Sequence, residues 1–350
     1  MQNVAMFGFY DAGNFGDDLM AVLLGLSLKE AGVRCTTFGL DGETARDFGL
    51  SAARSVEHLL EDAGIVVWGG GGLLVPWNPL MYRLLYGGFA ANCDDLLSGI
   101  KRRRLRKAAI SVGGDGTVAG KLSPAYKQAF VEGMEYASTR NRSDLETLRR
   151  FGIRCDFFPD IVWQTAERFP AEPVRRGAVR IGIDLYFRSL IRHGGLDALF
   201  DLHGVVRERK DAEFILIDNT SSRRRSYRGL GRALQGVNCQ PYQFCDIFKD
   251  LRMIASLDML ISSRLHTLMV ALGYGVPAVS FAAEGKTRLM LEEIGRPELY
   301  YGRDRFQEMV SMLRHKERLE KFVREFSFDG VEQLRRLSYG HQQRLIELLV

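Results

Sequence analysis

The sequence contains little cysteine and proline and no long hydrophobic run. Its five cysteines form no Cys-x-x-Cys pair, and their odd number favours reduced, buried thiols over a disulfide framework. Nine prolines, with 46% hydrophobic and 26% charged residues, exclude a disordered or fibrous chain. No stretch approaches ~18 consecutive apolar residues, and no basic segment or cleavage site opens the chain, so we expect a cytoplasmic protein.

Histidine is also sparse, which limits the chemistry that a site can use. The six histidines are scattered, and none has a His-x-His or His-x-x-x-His neighbour. No Ser-His-Asp order and no nucleophilic cysteine stands out. We therefore expect a site with no metal and no cofactor.

Positive charge is in excess and is concentrated in short clusters. Lysine and arginine number 48 against 43 aspartates and glutamates. The clusters are Lys101 to Lys107, Arg149-Arg150, Arg175-Arg176 and Arg223 to Arg225. Each is either a solvated face or part of a surface for an anionic partner, such as a diphosphate-linked lipid at the inner membrane leaflet, at about 1 kcal/mol per well-placed cation. No nucleic-acid-binding module accompanies the charge, so no nucleic acid is expected as a partner.

Short apolar runs alternate with helical patterns along the chain, which predicts parallel α/β sheets. The runs are Val4–Phe9, Cys35–Gly39, Ile65–Trp68, Ala109–Val112, Cys155–Phe158, Val179–Asp184, Phe214–Asp218, Met259–Ser262 and Ala278–Phe281. A Pro- and Arg-rich stretch, Pro170 to Gly177, separates two series. We expect two Rossmann-like α/β domains, residues 1–172 and 173–350, facing a cleft as in the architecture called GT-B. The last helical stretch, Val331 to Val350, is a candidate to pack back on the first domain.

In such sheets ligands bind beyond the carboxyl ends of the strands, where this chain places glycine-rich segments. Gly8 to Asp18 leads into a helical pattern from Leu19 to about Ala31, which suits either the approach of an anion or a capped tight turn. Gly69 to Gly72 follow the third predicted strand. Such a run costs backbone entropy, so it favours close approach of the main chain to a ligand. The fourth predicted strand ends similarly, in Gly113 to Gly116.

Arg140 stands between a helical stretch and the predicted helix from Asp144 to Phe151. An arginine donates two parallel hydrogen bonds to a carboxylate or phosphate, although an arginine before a helix is more often a surface residue.

The segment from Met259 to Pro277 is the most informative. A buried strand stops at Ser262, Ser263 can cap a helix, and the helix carries an apolar stripe. Arg264 and His266 lie off that stripe in the first turn, where the helix dipole opposes a cation. This local misfit indicates a functional role for both residues.

Together these segments resemble the polysaccharide pyruvyl transferase family over most of the chain. The first glycine loop is similar to the family's Asn-x-Gly-Asp core, and Gly69–Leu73 to its second glycine loop. Ser138 to Leu148 resembles its Ser-x-Arg-Asp-x-x-Ser segment. The triplet Arg264-Leu265-His266, followed by a small-residue helix and Gly-Val-Pro, is the most specific mark. The chain departs from the pattern at Asp18, Asn141, Asp144 and the fourth-strand loop.

The resemblance implies phosphoenolpyruvate as donor and a glycan or lipid-linked saccharide of a cell-surface or exopolysaccharide precursor as acceptor. It implies catalytic roles for Arg264 and His266 at the donor site. The substrate-binding residues that it implies are Arg140, Leu265, Asn14, Gly16, Asp17, Gly70, Gly71, Gly72 and Lys286, the last in a loop after the last strand.

Two other functions stay open from the sequence. A nucleotide-sugar glycosyltransferase would share the fold, would use the same glycine loops for a diphosphate and would not respond to phosphoenolpyruvate. A non-catalytic member of the family would bind glycan without turnover, and substitution of His266 would not change its function.

Overall fold

The computed structural model of the chain divides into two compact α/β units, described here separately. It describes residues 3–74, 79–114, 131–172, 178–218, 230, 234, 238–281 and 285–349, with side chains except at 11, 12, 79–87, 188 and 189. The first unit is Met1–Gln164 with Leu334–Val350, and the second is Thr165–Gln333.

The first unit is built on a parallel sheet of seven strands among the described residues, in the order β3-β2-β1-β4-β5-β6-β7. These strands are β1 Asn3–Phe7, β2 Cys35–Phe38, β3 Ser51–Ala53, β4 Ala63–Leu74, β5 Arg106–Gly114, β6 Met134–Thr139 and β7 Cys155–Phe157. The helices between them are α1 Phe15–Glu30, α2 Gly42–Asp47, α3 Val56–Leu60, α4 Pro79–Arg103 and α5 Arg142–Arg150.

The second unit repeats this plan on six parallel strands of the described chain, in the order β10-β9-β8-β11-β12-β13. These strands are β8 Val179–Asp184, β9 Ala212–Asp218, β10 Cys239–Gln243, β11 Met259–Ser262, β12 Ala278–Phe281 and β13 Tyr300–Tyr301. The helices are α6 Thr165–Arg168, α7 Phe187–Glu208, α8 Ile247–Ala255, α9 Leu265–Gly273, α10 Gly285–Glu293, α11 Phe306–Arg314, α12 Lys316–Glu325, α13 Val331–Ser338 and α14 Gly340–Leu349. Helix α13 from Leu334 onward and all of α14 lie with the first unit.

The core of each unit lies around its central strands, because a parallel sheet is covered on both faces. Strands β1, β4 and β5 are buried along most of their length, as the near-continuous apolar runs of such strands require. Helix α1 is buried almost all round, with Leu19, Leu23 and Leu24 fully covered. The predicted alternation of strands and helices is therefore observed in both units.

Three local predictions are wrong. Strand β4 does not stop at Trp68 but continues through the glycines, because it stays paired with β5 as far as Leu74 and Gly114. Arg140 directly follows a strand, β6, which ends at Thr139, rather than a helical stretch. The last helical stretch is two helices, α13 and α14. Strands β3, β10 and β13 went unpredicted because they are short and partly exposed, so they carry no apolar run.

The division between the units falls earlier than residue 172. Residues after Gln164 pack within the second unit: Tyr274 donates a hydrogen bond of 2.6 Å to the Phe169 carbonyl, and Phe169 meets Phe248 edge to face. Residues 334–350 pack with the first unit. Most of the predicted linker, residues 173–177, lies outside the described residues, as does the basic cluster from Arg223 to Arg225.

Among the helices that the structure describes, none has the length and apolar character needed to cross a bilayer.

Candidate functional site

The first glycine loop forms the amino-terminal cap of α1. The Asn14 Oδ1 accepts a hydrogen bond from the Gly16 N–H at 3.3 Å, while its Nδ2 donates to the Asp17 Oδ2 at 2.7 Å. Asp17 is only 7% exposed, and its carboxylate complements the positive end of the helix dipole. The Asn-x-Gly-Asp core thus holds a buried carboxylate at the carboxyl edge of the first sheet.

The glycines of β4 differ in what their missing side chains would meet. Gly70 and Gly71 have φ of +77° and +87°, which L side chains rarely adopt. A Cβ on Gly70 would lie 2.5 Å from Met20, and one on Gly71 would lie 3.0 Å from Asp17. A Cβ on Gly72 would have no neighbour within 4 Å among the residues that the structure describes. Two of these glycines thus give room to the protein's own side chains, whereas Gly72 meets none in the described part of the chain.

Arg140 is held at the end of β6 by a buried ion pair. Its Nη1 lies 2.9 Å from the Asp160 Oδ2, and the two side chains are 4% and 5% exposed. The other oxygen of Asp160 accepts a hydrogen bond from the Val162 N–H at 3.0 Å. A Cβ on Gly113 would lie 2.7 Å from the Arg140 Nε, so this glycine leaves room for the guanidinium. Arg140 is therefore a fixed, buried cation rather than a surface residue.

A serine and histidine network lies next to this ion pair. The Ser111 N–H donates to the Ser138 Oγ at 3.2 Å, and the Ser111 Oγ accepts from the Ile161 N–H at 3.3 Å. Ser111 has a φ of +55°, an uncommon conformation that costs about 1–3 kcal/mol and concentrates at functional sites. His341, from α14, contacts Ser138 and is completely buried.

Burial lowers the pKa of the His341 imidazole to about 4, against an ordinary value of 6.5, while the nearby Asp160 carboxylate opposes this shift. Because the unfolded chain binds the proton more readily, neutral His341 stabilises the fold fully above its unfolded pKa. That stability is lost as the pH falls towards the folded pKa. We expect the free energy of unfolding to drop by about 2 kcal/mol between pH 7 and pH 5 on this account.

Urea denaturation at the two pH values checks this expectation. His341→Gln cannot titrate, so the variant should lose correspondingly less stability on acidification than the wild type. Equal losses in the two proteins would contradict the assignment.

In the second unit Arg264 is fixed in a similar way. Its Nε lies 3.3 Å from the Asp184 Oδ1, and the two side chains are 7% and 0% exposed. Its guanidinium carbon lies 3.9 Å from the centre of the Tyr186 ring, a cation–π distance. The Ser262 Oγ accepts from the Arg264 N–H at 2.9 Å. The guanidinium therefore lies at the carboxyl edge of the second sheet, between a carboxylate and an aromatic face.

The local structure corrects one prediction about this segment. The N-cap of α9 is Arg264 itself, not Ser263. The Ser263 Oγ instead accepts a hydrogen bond from the Tyr186 N–H at 2.8 Å, which ties the ends of β8 and β11 together.

The remaining predicted site residues of the second unit lie on helix starts. Leu265, the first residue of α9, is buried, whereas His266 is partly exposed. Lys286 is in the first turn of α10 rather than in a loop, and β12 is not the last strand. Because β11 and β12 are parallel neighbours, α9 and α10 begin at the same edge of the sheet.

Sequence reasoning missed the groups that contact these arginines: Asp160, Asp184 and Tyr186. Asp184 carried a usable signal, because it is a charged residue ending an apolar run. Each unit thus has, beyond the carboxyl ends of its strands, one buried arginine paired with an aspartate. A guanidinium fixed in this way is preorganised to bind a planar carboxylate or a phosphate. Among the described residues, no group of three or more His, Cys, Asp or Glu is arranged to hold a metal ion.

Comparison with known protein families gives one match. The family model described as polysaccharide pyruvyl transferase matches residues 14–284, which include the predicted site residues except Lys286. No curated protein sequence matches the chain.

Solved structures share the fold at low sequence identity. The Staphylococcus aureus protein MnaA, in a structure with UDP, has a TM-score of 0.64 at 8% identity, with 97% of each chain covered. The Anabaena protein HepE in complex with UDP-glucose has a TM-score of 0.61 at 9% identity, with 100% of this chain and 99% of that chain covered. The Neisseria meningitidis UDP-GlcNAc 2-epimerase bound to UDP-GlcNAc has a TM-score of 0.60 at 10% identity, with 98% and 100% covered. These similarities confirm the predicted GT-B-like fold of two Rossmann-like domains.

Proposed function

The chain belongs to the polysaccharide pyruvyl transferase family, and we propose that it transfers the enolpyruvyl unit of phosphoenolpyruvate to a sugar as a pyruvate ketal, releasing phosphate. The observation that carries this proposal is the buried Arg264, held by Asp184 and followed two positions later by the partly exposed His266. The reaction requires a fixed cation that binds the anionic donor and a residue that carries a proton.

The donor has two anionic groups on one three-carbon frame, so its site needs more than one fixed cation. We assign Arg264 to one of these groups, with Lys286 as a further cation at the edge that bears Arg264. In the first unit, Arg140 is the candidate to bind an anionic group of the donor. The aspartate partners orient both guanidinium groups before substrate arrives, so little reorganisation is needed on binding.

The chemistry then requires proton transfers. Protonation of the methylene carbon makes the second carbon electrophilic, one sugar hydroxyl adds there and loses its proton, and the carbon–oxygen bond to phosphate breaks. A second hydroxyl of the sugar closes the ketal and loses its proton. We assign one of these proton transfers to His266, a role that typically accelerates a step by about 10²–10⁴.

We propose that the acceptor is a glycan or a lipid-linked saccharide of a cell-surface or exopolysaccharide precursor, bound by the first unit. The candidate contacts are Gly72, where a Cβ would meet no described residue within 4 Å, and the capped loop of Asn14, Gly16 and Asp17. Exposed Lys101, Arg102 and Arg104, at and beyond the end of α4, support a peripheral contact with the inner face of the membrane. Each such cation contributes about 1 kcal/mol to binding an anionic surface.

A nucleotide-sugar glycosyltransferase is the second candidate, because the structurally similar HepE and MnaA were solved with UDP-glucose and UDP. Thermal unfolding with phosphoenolpyruvate, UDP-glucose, UDP-GlcNAc and free UDP separates the two candidates. We expect phosphoenolpyruvate alone to stabilise the wild type, by about 2.7 kcal/mol at a hundred times its dissociation constant. Arg264→Ala should abolish the effect, whereas stabilisation by a nucleotide sugar alone would reverse the donor assignment.

A further inference from the structure

His341 lies on the last helix of the chain, beyond the residues that the family model matches. Its side chain is completely buried, and its two ring nitrogens contact two different segments of the first unit. Nδ1 lies 2.7 Å from the Ser138 Oγ, and Nε2 lies 3.0 Å from the Pro159 carbonyl oxygen. A buried histidine with both nitrogens engaged is a cross-link between those segments.

The partners determine the tautomer of the ring. A carbonyl oxygen only accepts, so Nε2 carries the proton and donates to Pro159. Nδ1 then accepts from the Ser138 hydroxyl, whose oxygen in turn accepts from the Ser111 N–H. The neutral ring satisfies both contacts, whereas a protonated ring has no lone pair for the Ser138 hydroxyl.

Both contacts fall beside the ion pair that fixes Arg140. Ser138 precedes Arg140 by two residues at the end of β6, and Pro159 directly precedes Asp160. The fit of α14 at this point is tight, since a Cβ on Gly340 would lie 2.2 Å from the Phe158 ring, and Phe158 meets His341 edge to face at 5.3 Å. His341 thus adds a side-chain cross-link between the strand end and the Asp160 segment, beyond the last backbone hydrogen bond that joins them, from the Phe158 N–H to the Thr139 carbonyl at 3.1 Å.

We propose that His341 is a positioning residue for Arg140, acting through Ser138 and Pro159 to hold the guanidinium against Asp160. This inference rests on the proposed function, in which Arg140 binds an anionic group of phosphoenolpyruvate. His341 itself contacts neither substrate nor reacting atoms. The C-terminal helix is, on this account, part of the support of a substrate-binding arginine rather than an appendage of the fold.

The test compares His341→Ala with Gln342→Ala, a matched control on the same helix. Gln342 is also buried, but it bonds to Gln164 and Ser27 instead of to the segments beside Arg140. At a temperature where both variants are folded, we expect His341→Ala to raise the dissociation constant for phosphoenolpyruvate about ten- to hundredfold, and Gln342→Ala to leave it near the wild-type value. His341→Asn, which keeps the acceptor, and His341→Gln, which keeps the donor, should each restore part of the affinity.

A second measurement needs no substrate. The guanidinium N–H resonance of Arg140, assigned by its loss in Arg140→Lys, should exchange slowly in the wild type and in Gln342→Ala, and rapidly in His341→Ala. If the wild type fails to bind phosphoenolpyruvate, the proposed function is wrong while this resonance still decides the role of His341. An unchanged resonance in all three folded His341 variants, or equal loss of affinity in Gln342→Ala, overturns the inference.

Discussion

Replacing Arg264 by alanine is expected to lower kcat/KM for phosphoenolpyruvate about a thousandfold, because one preorganised donor at developing charge contributes about 10²–10³. The guanidinium is buried, held by Asp184 and covered by Tyr186, so its position is set before the substrate binds. Arg264→Lys keeps the charge but not the planar fork, and we expect it to recover only part of the loss. Steady-state kinetics at saturating acceptor measure both variants.

The matched control is Arg180→Ala. Arg180 is 8% exposed, pairs with Glu213 at 2.8 Å and lies at the amino end of β8, at the opposite edge of the same sheet. At a temperature where the variant is folded, its kcat/KM should match that of the wild type. An equal loss in Arg180→Ala, or full activity in Arg264→Ala, would contradict the assignment of the donor site.

Replacing Asp184 by alanine is expected to lower the free energy of unfolding by about 3–5 kcal/mol, because it leaves the buried Arg264 without its counter-charge. Arg264 is itself only 7% exposed, so water screens the remaining cation little. Urea denaturation monitored by circular dichroism measures the change.

The double variant Asp184→Leu with Arg264→Met tests the cause. Removing both charges should restore much of the stability, because replacing a buried pair by apolar side chains is often nearly neutral. A single variant as stable as the wild type, or a double variant no more stable than Asp184→Ala, would show that the buried pair does not govern the loss.

The sequence predicted the buried strands of the fold well and the edge strands poorly. The observed bounds of β8, β11 and β12 are those of their apolar runs, because a strand covered on both faces must be apolar along its length. The edge strand β10, with the sequence Cys-Gln-Pro-Tyr-Gln, is exposed at several positions and carries no such run. Its place in the sheet is set by pairing with β9 rather than by local pattern.

Sequence motifs pointed to Arg140 and Arg264 but not to the residues that hold them. The reason is chain separation: Arg140 and its partner Asp160 are 20 positions apart, and the contact between His341 and Ser138 joins residues 203 positions apart, so no spacing rule reaches these contacts. The glycine run is a second case. The entropic cost of ordering its backbone was evident from the sequence, but only the structure shows that Gly70 and Gly71 make room for Met20 and Asp17.

The most direct test of the central claim is mass spectrometry of glycan acceptors incubated with the protein and phosphoenolpyruvate. The account predicts an acceptor that gains one ketal-linked pyruvate, with one phosphate released per transfer, and no product with Arg264→Ala. Transfer of a sugar from a nucleotide sugar under the same conditions, with phosphoenolpyruvate left intact, would contradict it.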